Sequence, residues 1–274
     1  VMPESLGGLK AIFNTAQDAA RLEDPALDLE QCFLAGLGDD WVQYKKPLPR
    51  GASGAQLEDA PSLTLVGSPE PARLAAGLKW LMVVLSGKPT EREFLGRKIY
   101  SVPMPPWQML WSGATPGRRQ QTLHFSPGTS YLALSTDAAF LEEYLRNPEG
   151  GVRGLRGLAG LTEAAPKVAG PGTSLFGYVN RLETARAEFE AWRLNSAAAT
   201  NVLGLGFLPA LAGLAQPEKS VEPWLDFSLL PAFDVLARYF HFTVYAGGAT
   251  PEGVIFKYFA PAPPALRAGE TAQR

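Results

Sequence analysis

The chain has 274 residues, 46% of them hydrophobic and 19% charged, so it is long enough for a large core and carries fewer charges than globular proteins usually do. Its 25 Lys and Arg nearly balance 27 Asp and Glu, and no basic run exceeds a pair such as Lys45-Lys46 or Arg118-Arg119, which argues against nucleic acid as a partner. A single cysteine, Cys32, excludes an internal disulfide framework and any cysteine-cluster metal site.

The first stretch, ESLGGLKAIFNTAQDAARLEDPALDLEQCFLAGLGDD, has apolar spacing near the helical period and a break at Asp24-Pro25, which predicts two helices. Cys32 falls on the apolar face of the second as small core filler, and Gly36 and Gly38 end it. Asp39-Asp40 lack the D-x-D-x-D-G loop of a calcium site and read as the start of a turn. DWVQYKK then alternates like a strand, and a Gly/Pro/Ser-rich loop runs from Pro47 to Pro61.

SLTLVG reads as a strand feeding a helix, with Ser68 as N-cap and Pro69 at the first helical position. SGKPT, Ser86 to Thr90, fails as a phosphate loop, because Met82 stands where the first glycine is needed and Pro89 where Ser or Thr would bind magnesium. Strands follow in FLGRKIYSVPM from Phe94, RQQTLHFS from Arg119 and SYLALST from Ser130, the last two joined at Pro127-Gly128-Thr129 as a hairpin.

SYLALSTDAAFLEEYLR is a second strand-to-helix junction, the kind of place where a nucleophile sits in many α/β enzymes. A nucleophile elbow needs G-x-S-x-G, and here Ser135 is flanked by Ala-Leu and Thr-Asp. The junction reads as a corner: Leu132 and Leu134 face the core, while Ser135, Thr136 and Asp137 offer oxygens to helix N–H groups, with Thr136 or Asp137 as N-cap. The helix ends near Asn147-Pro148.

Between these elements, PMPPWQMLWSGATPGRR carries Trp107, Met109 and Trp111, which are costly to leave in water, and closes on Arg118 and Arg119. They either cover the core or meet a partner, which makes this the candidate interaction loop.

Residues 149–173 are glycine-rich and read as a connection; GLRGLAG within them spaces its glycines every third residue and is no dinucleotide fingerprint. TSLFGYVNRLETARAEFEAW is a third strand-to-helix unit with Asn180 as cap. Leu194 to Pro217 is uncharged and matches the roughly 20 residues a bilayer requires, yet it is built of Ala, Gly, Asn and Ser with Pro209 inside, and reads as a buried connection with no transmembrane span. A helix from Leu229 to Tyr239 leads into YFHFTVYA and GVIFKYFAP, two strands around a GGATPEG turn, before a tail, 263–274, that reads as disordered. His124 and His241 are the only histidines, and each lies within a strand pattern with no motif to bring Ser and Asp partners to it.

The fold class expected is α+β, a mainly antiparallel sheet with helices packed on one face, and the repeated strand-helix units suggest a duplicated architecture. One half spans 1–148; the second, 174–262, packs on the same core beyond the 149–173 connection.

DLEQCFLAGLGDDWVQY, SLTLVGSPEPARLAAGLKWL, FLGRKIYSVP and LHFSPGTSYLALSTDAAFLEEYLR, taken in order, resemble an uncharacterised bacterial family carrying a domain of unknown function. The resemblance covers Leu27 to Arg146, although Pro127-Gly128 stands where Asp-Gly is expected at the hairpin. It implies export to the periplasm or outside the cell, tandem α+β halves, a longer parent protein and no catalytic residues; the start at Val1 fits such a fragment.

The function expected is therefore a non-catalytic envelope or secreted module that binds a protein or other envelope component, with no cofactor and no metal. A carrier of an apolar ligand, motivated by Leu194 to Pro217, and a hydrolase with a dispersed site at His124 or His241 are the alternatives.

Overall fold

The computed structural model describes residues 4–25, 27–47, 60–104, 121–146, 155–194, 229 and 231–266. The described residues fall into two compact units, one within 1–46 and 61–151 and one within 47–60 and 152–274.

The first unit contains α1 (Glu4–Glu23), α2 (Leu29–Leu34), β1 (Trp41–Lys45), β2 (Ser62–Gly67), α3 (Pro71–Ser86), β3 (Thr90–Phe94), β4 (Arg97–Pro103), β5 (Thr122–Pro127), β6 (Tyr131–Ser135) and α4 (Ala138–Arg146). Its six strands form one sheet in the order β1-β2-β6-β5-β4-β3, every neighbouring pair antiparallel. The mainly antiparallel α+β class is thus the one observed.

The helices do not share one face of this sheet. Leu63 and Leu65 of β2, Ala133 of β6 and Ile99 of β4 pack against Phe140, Leu141 and Leu145 of α4. Leu132, Phe125 and Val102, on the other side of the pleat, pack against Leu74, Ala75 and Met82 of α3. A strand covered on both faces has no polar positions to alternate with apolar ones, so Leu132-Ala133-Leu134 is an unbroken apolar run. α1 then lies on the outside of α3, with Ala16 and Ala20 against Trp80, Leu81 and Val84. Cys32 of α2 is fully buried, as a core filler should be. Gly77 of α3 allows α2 this close, since a Cβ there would lie 2.9 Å from that of Cys32.

Three local readings change. The strand expected from Phe94 is two strands, β3 and β4, turned at Leu95-Gly96, both with positive φ as a two-residue hairpin loop demands; the charged run Thr-Glu-Arg-Glu masked β3. Pro71 rather than Pro69 opens α3, and Ser68 Oγ accepts from the N–H of Glu70 one step earlier. The Ser86–Thr90 segment is a helix end followed by a strand start, with Gly87 at φ 91° just past the last turn.

The second unit contains a 3₁₀ turn (Leu155–Gly157), α5 (Leu161–Val168), β7 (Leu175–Asn180), α6 (Arg181–Leu194), α7 (Phe233–Ala237), β8 (Phe242–Thr250) and β9 (Gly253–Phe259). β8 is central in an antiparallel sheet of order β7-β8-β9. The glycine-rich stretch read as a connection therefore holds a helix that belongs to this core: Leu161, Ala164 and Val168 pack on Phe242, Val244 and Ala246. Its glycines hid it, but Gly160 is the cap residue, at φ 82°. α7 is shorter than expected because Pro231 lies just ahead of it, and β8 absorbs Gly247 to Thr250, leaving only Pro251-Glu252 as the turn. Among the described residues no helix is long and apolar enough to cross a membrane. Residues 195–217 and 267–274, read as a buried connection and as most of the tail, lie outside the described residues.

Candidate interaction surface

The loop residues Trp107, Met109, Trp111, Arg118 and Arg119 all lie outside the described residues. The polar candidates that are described resolve into structural roles. Ser135 Oγ donates to the carbonyl of Ser62 at 2.7 Å and accepts from the N–H of Asp137 at 3.0 Å, and Asp137 Oδ1 accepts from the N–H of Phe140 at 2.8 Å. Ser135 Oγ and Asp137 Oδ1 are thus committed to joining β2, β6 and the first turn of α4. Asp40 Oδ2 accepts from the hydroxyl of Tyr131 at 2.6 Å, which holds β1 to β6 instead of holding a cation.

Thr90, Ser101, His124 and Ser135 stand in one cross-strand row over β3, β4, β5 and β6. Ser101 Oγ lies 2.7 Å from Nδ1 of His124. Burial and then the nearby Arg92 lower the imidazole pKa, against a smaller upward pull from Asp137. The shift favours the neutral imidazole, which shares one hydrogen bond with Ser101. A hydrolytic triad also requires a carboxylate to orient the ring, and Asp137 Oδ1 is occupied by the helix cap. His241 packs its ring 4.5 Å from that of Phe242 while its carbonyl accepts from the N–H of Leu182. Burial raises the carboxyl pKa of Glu188 on α6, with Arg181 opposing the rise. Among the described residues no group of three or more His, Cys, Asp or Glu is placed to hold a metal ion.

What stands out in the second unit is apolar surface in water. On β9, Val254 is 68% exposed, Ile255 50% and Tyr258 67%. β9 is an end strand of its sheet, and Lys257 is its single charge. Val254 and Tyr258 lie on the face that also carries Tyr245 and Leu175, opposite the α5 face. Two glycines let the rings there lie flat: a Cβ on Gly177 would meet the Tyr245 ring at 2.0 Å, and one on Gly247 the Phe256 ring at 2.9 Å. Large exposed apolar groups gathered on one strand mark contact surfaces more often than isolated ones do.

Sequence reasoning placed β9 but took it for an alternating strand, and so missed its exposure along both faces. The signal was present: GVIFKYF lacks the apolar-polar alternation of a strand with one wet face, and so belongs either to a sheet covered twice or to a surface awaiting cover.

No family model matches the chain, and neither a curated protein nor a solved structure matches it.

Proposed function

We propose that the chain is a non-catalytic interaction module that binds a protein partner through the apolar surface of β9. The observation that carries this reading is the exposure of Val254, Phe256 and Tyr258 on one face of an end strand. Contact energy at protein interfaces concentrates in a few aromatic and apolar anchors that become fully desolvated, and Tyr258 with Val254 supplies such a pair. The hydrolase alternative loses support from the saturated corner at Ser135 and the single hydrogen bond between Ser101 and His124. The resemblance of Leu27 to Arg146 to an exported bacterial family supports a place in the periplasm or outside the cell, and an envelope protein as the partner.

The test is photo-crosslinking from position 258 in cells that produce the protein, with position 98 as a polar surface control. One adduct of defined mass from Tyr258, absent from Lys98 and lost in a Val254→Ser background, is the expected result. Equal or absent adducts at both positions would remove β9 as the binding surface.

A further inference from the structure

The six-stranded sheet of the first unit ends in two unlike edges. β3 reads Thr90-Glu91-Arg92-Glu93-Phe94, with Glu91 2.7 Å from Lys79 and Arg92 2.6 Å from Glu142. Charges along an edge strand are the usual defence against another strand pairing there. β1, at the opposite edge, reads Trp41-Val42-Gln43-Tyr44 before its first charge at Lys45; all five residues are exposed, Trp41 by 70%.

The backbone of β1 faces the right way for pairing. The N–H of Gly67 donates to the carbonyl of Asp40 at 2.8 Å, and the N–H of Lys46 donates to the carbonyl of Pro61 at 3.0 Å. Asp40 and Lys46 therefore point their polar groups at β2, and in an antiparallel ladder that direction alternates residue by residue. Trp41, Gln43 and Lys45 consequently direct N–H and C=O out of the sheet. An extended strand is the shape that meets such a row.

We propose that β1 is the seam of a homodimer, in which two copies join edge to edge, antiparallel, about a two-fold axis at Gln43. This register sets Trp41 opposite Lys45 of the second copy, Gln43 opposite Gln43, and Val42 opposite Tyr44. Each outward N–H then meets an outward C=O. The Lys45 ammonium reaches the face of the Trp41 indole, a cation–π pair, and Val42 with Tyr44 forms an aromatic–β-branched pair on the other face. No like charges stand opposite one another. A slip of one residue matches outward groups with inward ones, and a slip of two separates Trp41 from Lys45 or brings in Lys46, which is already paired with Glu143. The dimer makes one sheet continuous across both copies and leaves the charged β3 edges at its ends. It concerns the first unit only and is independent of the surface on β9.

Sedimentation velocity on the purified chain over a concentration series tests this directly. The wild type is expected to dimerise, Trp41→Lys to be monomeric because it opposes Lys45, and Trp41→Lys with Lys45→Glu to recover the dimer. Amide exchange in the wild type supplies a second reading that needs no variant: the N–H groups of Trp41, Gln43 and Lys45 slow as concentration rises, while those of Val42 and Tyr44 do not change. A wild type that stays monomeric, a Trp41→Lys variant as dimeric as the wild type, a double variant that does not recover, or concentration-independent exchange at Trp41 and Gln43 would each overturn the proposal.

Discussion

The Tyr131 hydroxyl donates to Asp40 Oδ2 at 2.6 Å across the end of β2, and the glycine between them, Gly67, makes room for it. A Cβ on Gly67 would stand 1.7 Å from Asp40 Oδ1 and 3.0 Å from the Asp40 carbonyl, to which the Gly67 N–H donates. Gly67→Ala must push the carboxylate away from Tyr131 and strain the start of β1. Overpacking of this kind costs about 1–3 kcal/mol, and chemical denaturation should show a loss in that range. Combining it with Asp40→Gly should recover part of the loss, because the two sites share the clash. Full additivity of the two substitutions would show that the crowding is not the cause.

At the β6–α4 corner the sequence posed a choice between a catalytic site and a structural joint, and the bonds at Asp137 decide for the joint. Its Oδ1 accepts from the N–H of Phe140 and its carbonyl from the N–H of Leu141, the pattern of an N-cap. Asp137→Ala is expected to lower stability by about 1 kcal/mol, and Asp137→Ser to retain most of it. Thermal melts of both variants measure this; equal losses would mean that the cap oxygen contributes little.

The corner was legible because capping is local: Ser135 and Asp137 lie within a few residues of the N–H groups they serve. The antiparallel class was legible for a similar reason, since the hairpin at Pro127-Gly128-Thr129 is a short-range signal, whereas the order β1-β2-β6-β5-β4-β3 was not. What stayed hidden depends on distant partners. That Leu132 and Leu134 meet α3 while Ala133 meets α4 is set by pairing with β2 and β5, and the apolar run reads the same whichever face a helix covers. α5 was lost among glycines whose number, not position, dominated the reading. The two edge strands differ in another way: the charges of β3 mark an edge that resists pairing, yet the same charges kept it from being read as a strand.

His124 offers a pH test of the polar row. Burial first and Arg92 second hold its pKa below the ordinary value of about 6.5 that the unfolded chain has. Below that value the unfolded chain binds the proton more readily than the folded one does. Stability therefore rises with pH through this window and is lost as pH falls from 6.5 toward the depressed folded value. Other groups contribute as well: Lys79 holds the Glu91 carboxyl low, which also weakens the fold in acid, and burial raises Glu188, which acts in the opposite sense. They are common to the wild type and to His124→Gln, so the difference between the two isolates the imidazole. Melting temperatures followed from about pH 7 to pH 5 should fall more steeply for the wild type than for His124→Gln, whose amide can still meet Ser101. Parallel curves would show that His124 takes up its proton in the folded state as easily as in water, and that the row over β4 and β5 is wetter than its burial implies.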